Sequence, residues 1–286
     1  MVLSKFSNKV VNTIVHAEGV LRDTLLLLLF CLLINPLSAN RRDTLGVGGR
    51  TYFIENQGQW KAPFRYKAQM HNAALFVEDD CFTVALREAA PSHNQDNHFH
   101  HQVGQQMHAY KVRFVGCNAA PGITAVDIDQ GGGYDNYYYG HDPSRWVSRL
   151  PHYGTIYYSN LYPGIDMDVR VAANALKTNF YVSPSARPTD IVLRYDGADK
   201  LYQSNGNLII RTTVGELVEM APYAYQETDT GRHEILARYR IKGDEVSFVL
   251  DDYDSTLTLV IDPTLIFSTY TGSTADNWGT TATYDL

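Results

Sequence analysis

From residue 51 onward, apolar and polar side chains alternate repeatedly, the mark of strands with one face buried and the other wet. The run Ile165-Asp166-Met167-Asp168-Val169-Arg170-Val171 shows it best, with Ile165, Met167, Val169 and Val171 on one face and Asp166, Asp168 and Arg170 on the other. The same pattern predicts strands over residues 64–70, 81–86, 110–114, 176–182, 191–195, 208–212, 217–220, 235–241, 246–250 and 257–261. No 3.6-residue period of comparable length competes with it. Pro163-Gly164, Asp196-Gly197, Asn205-Gly206, Asp229-Thr230-Gly231 and Lys242-Gly243-Asp244 supply turns between many of these runs. Short strands so spaced fold as antiparallel sheets, so the fold class is all-β: a sandwich-like or barrel arrangement, as one large domain over residues 51–263 or two small ones.

Two stretches interrupt the pattern. Residues 88–107 are rich in Ser, Asn, Gln and His with almost nothing to bury, and read as a long exposed loop. Residues 118–133 end in Gly131-Gly132-Gly133 and read as a flexible crossing or sub-boundary. Past Pro263 there is room for about two strands, too few for an independent sheet. Of these, residues 265–270 are expected to dock as an added strand, whereas the Gly, Ser, Thr and Asn content after 271 points to disorder.

The first forty residues differ from the rest. Lys5, Lys9 and Arg22 precede an apolar run over residues 24–34, which falls short of the roughly 20 residues a spanning helix needs and suits a signal peptide. Asn35 and Pro36 end that run, and Leu37-Ser38-Ala39 offers a cleavage site, so residues 1–39 read as a signal peptide and 40–50 as a linker. The protein is expected to be secreted or held at the cell surface, with no transmembrane span in the mature chain. Residues 1–39 carry three Lys/Arg and two Asp/Glu, so their removal takes the formal net charge from −7 to −8. This acidity argues against nucleic acid or an anionic membrane as partner. Cys81 and Cys117 then remain, and their spacing leaves open whether they pair.

Several segments, in order, carry a family likeness. They are Phe53-Ile54-Glu55-Asn56-Gln57-Gly58-Gln59-Trp60, residues 108–116, Asn136-Tyr137-Tyr138-Tyr139-Gly140 with Asp142-Pro143-Ser144-Arg145-Trp146, Tyr157, residues 161–166, residues 221–226, and Leu259-Val260-Ile261-Asp262-Pro263. Together they resemble the uncharacterised β-rich domain that precedes SBBP-type (β-propeller-like) repeats in large secreted proteins of gliding and related bacteria. Residues 264–286 look like the opening of a first, incomplete repeat of that kind. The resemblance implies export and an association with adhesion-type domains and gliding motility, with no activity or site attached. Its partners would be downstream β repeats, other cell-surface proteins or glycans.

The candidate chemistry is sparse. His93, His98, His100, His101 and His108 crowd together, and imidazole binds zinc, copper or nickel; on a polar loop without rigid support they read as solvated, and no metal ligand is assigned. Of the acidic clusters, Asp127 with Asp129, Asp166 with Asp168, and Asp251-Asp252-Tyr253-Asp254, the first meets Tyr138 and not a carboxylate at the twelfth position of a calcium loop, and the second reads as a solvated strand face; surface calcium is kept as an expectation. No cofactor is expected. Neither Gly-x-Ser-x-Gly nor His-Glu-x-x-His is present, so no catalytic residue is named and the chain reads as a non-enzyme. A glycoside-acting alternative would need a carboxylate pair, for which Glu55, Asp142 and Asp166 are the residues to inspect. Trp60, Trp146, Asn56 and Asp262-Pro263 read as architecture, with both tryptophans filling the core. The remaining cluster is aromatic: Tyr134, Tyr137, Tyr138, Tyr139 and Trp146. Such rings either stack on sugars and anchor partners or serve as good strand formers. Two functions follow: a structural or adhesive module capping propeller-like repeats, and a carbohydrate- or protein-binding domain using residues 134–158. Exposure of the rings favours the second, and their burial the first.

Overall fold

The computed structural model describes residues 51–70, 72–88, 106–128, 133–172 and 175–267. The leader over 1–39, the 40–50 linker, most of the 88–107 loop with His93, His98, His100 and His101, Asp129, and the chain from 268 onward lie outside the described residues.

Strands β1 (Phe53–Glu55), β2 (Tyr66–Gln69), β3 (Ala73–Val77), β4 (Cys81–Arg87) and β5 (Met107–Phe114) form an antiparallel meander. Next come β6 (Gly122–Ile128), β7 (Tyr134–Tyr137), β8 (Val147–Pro151), β9 (Tyr153–Tyr162), β10 (Ile165–Ala172), β11 (Ala175–Val182) and β12 (Val192–Asp196). The chain continues through β13 (Lys200–Ser204), β14 (Asn207–Thr212), β15 (Gly215–Glu219), β16 (Tyr223–Thr228), β17 (Gly231–Ile235), β18 (Ala237–Lys242), β19 (Glu245–Leu250), β20 (Leu259–Asp262) and β21 (Thr264–Ile266).

The meander is extended by β5–β12–β19–β18 into one curved sheet. A second runs β6–β9–β10–β11, and β11 then pairs with both β20 and β21. From there β20 leads to β16 and β17, and β21 to β15, β14 and β13. The sheets join where Phe53 of β1 pairs with Tyr153 of β9. At the opposite seam no ladder connects β13 to β18, but Gln203 Nε2 donates to Tyr239 O at 2.6 Å. The result is a nearly closed, barrel-like antiparallel body.

Inward-facing side chains at alternate positions fill it. Phe82 of β4 meets Phe114 and Tyr158 edge-on, with ring centroids 4.9 and 6.0 Å apart, and Phe180 lies 5.9 Å from Phe248. Each such ring, taken out of water, contributes on the order of 1.5–3 kcal/mol. A smaller apolar cluster, including Ile54, Trp60, Phe64, Phe76, Ala85 and Leu150, sits on the outer face of the meander. Because both faces of β3 are covered, all five of its residues are buried and it shows no alternation.

Each predicted strand run contains or overlaps an observed strand, with informative differences. The 235–241 run is split, since β17 ends at Ile235 and β18 begins at Ala237 around Leu236, which is 58% exposed. Within the 118–133 stretch, residues 122–128 form β6 and pair with β9 of the same sheet. Its pattern is faint because only Ile123 and Ala125 pack on the core. Asn205 and Gly206 turn β13 into β14 with φ of 50° and 83°, the pair of positive values a type I′ hairpin demands. β20 ends at Asp262, and past Pro263 the chain does not leave the body. β21 stays beside β11 and exchanges its other neighbour from β16 to β15. Among the described residues no helix is long and apolar enough to cross a membrane.

Candidate functional site

The aromatic cluster sits on an arm. The β6–β9 pairing reaches Ile128 opposite Tyr153, and the β7–β8 pairing begins at once with Tyr134 opposite Pro151. Along β8 and β9 only His152 separates the two pairings, which belong to different sheets and meet at a bend. At the bend Asp127 adopts φ 57° and its Oδ2 accepts from Thr155 Oγ1 at 2.6 Å. Gly154 lies against it, and a Cβ there would stand 3.3 Å from that of Asp127. His152 stacks on Tyr52 with centroids 3.4 Å apart and approaches Asp135 Oδ1 at 3.5 Å, which fixes the base of the arm.

Beyond the bend the arm lies across the outer face of the meander. Leu150 is 1% exposed, and Tyr137 packs edge-on against Trp60 with centroids 4.9 Å apart. Burial, with the nearby Asp135 carboxylate, pushes the Tyr137 phenol above its ordinary value. Asn56 holds the platform beneath, its Nδ2 donating to Ala62 O at 3.1 Å and Phe64 O at 3.0 Å while its Oδ1 accepts from Gly58 N and Trp60 N.

The tip is a single 3-10 turn, Pro143–Arg145, capped by Asp142, whose Oδ1 accepts from Ser144 N at 3.0 Å and Ser144 Oγ at 2.7 Å. Those bonds hold the Asp142 carboxyl below its ordinary value. Around this turn the rings stand in solvent: Tyr134 is 51% exposed, Tyr138 60%, Tyr139 42% and Trp146 45%. Tyr138 and Trp146 meet at 5.7 Å with their planes at 80°. Trp146 therefore does not fill the core as its pattern led one to expect; Trp60 does. The reason is the turn itself, which carries the chain away from the meander before Trp146 is reached. Of the five candidate residues, Tyr137 anchors the arm and the other four are displayed by it.

Other candidates resolve into architecture. The Nε2 of His108 faces Gly197 O at 2.9 Å and so carries the proton, leaving Nδ1 to accept from Thr213. Asp168 is not solvated as alternation implies. It is 3% exposed and receives Asn179 Nδ2 and Tyr181 OH from the paired strand β11 and an Arg170 guanidinium NH from its own strand, side chains that close over it. Glu55, Asp142 and Asp166 are each taken up locally, by Gln57, Ser144, and Tyr157 with Asn160. Among the described residues no three His, Cys, Asp or Glu converge as metal ligands. Cys81 and Cys117 are both free thiols.

Two buried polar groups escaped sequence reasoning. Glu219 receives Tyr195 OH at 2.9 Å and Tyr239 OH at 3.1 Å inside the body, and desolvation pushes its carboxyl upward. It borders a cavity of about 30 Å³ beside Phe82, Phe180 and Leu265, room for little more than a water. Glu78 binds Lys111 Nζ at 3.1 Å and Thr83 Oγ1 at 2.7 Å. Glu219 shares the core-facing positions of β15 with Leu217, where a carboxylate is not expected, and Glu78 lies just past β3, whose covered faces give no alternation to place it.

A protein-family model described as "Domain of unknown function (DUF7948)" matches residues 53–264, from the first residue of β1 to the first of β21. The chain belongs to the DUF7948 family. The match takes in the whole arm, so the displayed rings lie within the DUF7948 domain and not in an appendage to it. No curated protein matches the chain, and no solved structure matches it.

Proposed function

We propose that this DUF7948 domain is a non-catalytic recognition and adhesion module of an exported cell-surface protein, with the tip of the β7–β8 arm as its contact surface. The observation that carries the reading is the display of Tyr134, Tyr138, Tyr139 and Trp146 on an arm whose base is packed. None of the four belongs to either apolar cluster, so the fold gains nothing evident from them. Exposed aromatic groupings of this kind mark contact sites. The leader over residues 1–39 supports export. The likeness of residues 264–286 to an SBBP-type repeat supports a place at the head of a propeller-like array. The acidic balance favours neither nucleic acid nor anionic lipid.

A capping role draws on a different observation. Leu265 and Phe267 are buried in the body, so chain leaving the domain departs from an anchored strand. An exposed strand edge at the start of a repeat array needs such cover.

Attachment tests the recognition reading. Beads coated with the chain should adhere to intact bacterial cells, and the Tyr138→Ala/Trp146→Ala double variant should lose most of that adhesion at an unchanged melting temperature. Equal adhesion by the two proteins would refute it.

A further inference from the structure

We infer that the arm binds an uncharged, extended oligosaccharide, laid along Tyr134, Asn136 and Tyr138 and held at one end against Trp146. The inference rests on the recognition reading above and names its ligand.

Residues 134, 136 and 138 share the exposed face of the arm while Asp135 and Tyr137 turn inward. At about 3.3 Å per residue, Tyr134 and Tyr138 stand roughly 13 Å apart, a span that calls for a chain of sugar rings and not a single one. Tyr138 and Trp146, with planes at 80°, form a corner whose two walls can take the C–H face and the edge of one ring. Hydroxyl partners are at hand. Asn136 uses its Oδ1 to accept from Arg149 N at 2.9 Å, which leaves its amide Nδ2 to donate. The phenol hydroxyls of Tyr134 and Tyr138 add donor and acceptor capacity at either end.

Charge and size decide against other ligands. The tip mixes signs, since Asp142 lies beside Arg145, and Arg149 stands 5.6 Å from the Tyr134 ring. With a chain of net charge −7, nothing there concentrates positive potential for an anionic polymer. A protein partner ordinarily engages roughly 20–30 residues a side. The arm offers four rings within residues 134–146. A slender ligand fits that surface better than a broad one.

The test presents the full chain to an array of neutral hexasaccharides of glucose, mannose and N-acetylglucosamine, with oligogalacturonate and a heparin-derived hexasaccharide as anionic comparators. Capture of at least one neutral hexasaccharide is expected, with about tenfold weaker binding for Trp146→Ala and for Tyr138→Ala, partial recovery in Trp146→Phe, and trisaccharides bound less well. In parallel, periodate treatment of cells should abolish bead attachment and protease treatment should not. Capture of anionic sugars alone, or no capture at all, overturns the inference. If the arm variants still abolish attachment in that case and protease abolishes it too, recognition stands with a protein as its ligand. Arm variants that attach like the wild type overturn the recognition reading and this inference together.

Discussion

Leu265→Ala asks whether β21 belongs to the domain or merely leads away from it. Leu265 is 6% exposed and pairs with Leu176 of β11 on one side and Glu219 of β15 on the other. Shortening it to alanine removes the equivalent of three buried methylene groups, about 2.4 kcal/mol at ~0.8 kcal/mol each. The side chain also lines the existing cavity of about 30 Å³, which its neighbours have not closed. A new void there joins the old one instead of collapsing, and a residual ~60 Å³ adds roughly 1.4 kcal/mol at about 24 cal/mol per Å³. The sum is about 4 kcal/mol, in the upper part of the range for leucine truncation, and equals a fall of roughly 8–16 °C in melting temperature for a domain of this size. Urea unfolding of the two proteins supplies the check, with the m-value expected to stay constant while the midpoint falls. A loss below about 1 kcal/mol would refute the reasoning and make β21 peripheral.

Three further outcomes are expected. Glu219 is an acid whose native pKa lies above its ordinary 4.5, so the native state holds this proton more tightly and loses stability as pH rises from 4.5 toward the native value. Glu219→Gln has no proton to lose. Its stability should match the wild type near pH 4 and exceed it increasingly above pH 4.5, and a difference that stays flat from pH 4 to 8 would contradict this. Cys81 is fully buried and its thiol is pushed upward chiefly by desolvation, so a thiol reagent should modify Cys117 first in the native protein and both residues only after unfolding; a native disulfide would be contrary. N-terminal sequencing of secreted material should begin near Asn40, and an intact Met1 on protein confined to the cytoplasm would contradict export.

How much of the site was legible depends on which residues carry it. Tyr134, Tyr137, Tyr138, Tyr139 and Trp146 stand out by composition, but composition does not separate an anchor from a displayed ring. Tyr137 turns inward because β7 places it over Trp60, and Trp146 turns outward because the Asp142-capped turn intervenes. Tyr52 supports the arm from a distance through His152, a residue that only folding brings near, whereas Asn56 acts on its own loop, between Gly58 and Phe64. Asn56 is singled out within the Phe53–Trp60 segment, but no local pattern signals Tyr52.

By itself the sequence determined the all-β class, the position of most strands and the glycine-bearing turns such as Asn205-Gly206. These follow from side-chain period and backbone freedom, which are local properties. Tertiary structure decided what lies on each face. β3 lost its alternation because the arm and the 56–65 loop cover its outer side; Asp168 sits on a nominally wet position that neighbouring side chains enclose, and Glu219 points inward beside Leu217 and is met there by two tyrosines. It also decided that β11 serves both β20 and β21, and that the arm bearing the exposed rings starts where the β6–β9 pairing stops. Pairing partners and covering layers join residues far apart in the chain, and a strand's own pattern records only that one face is dry, not what dries it.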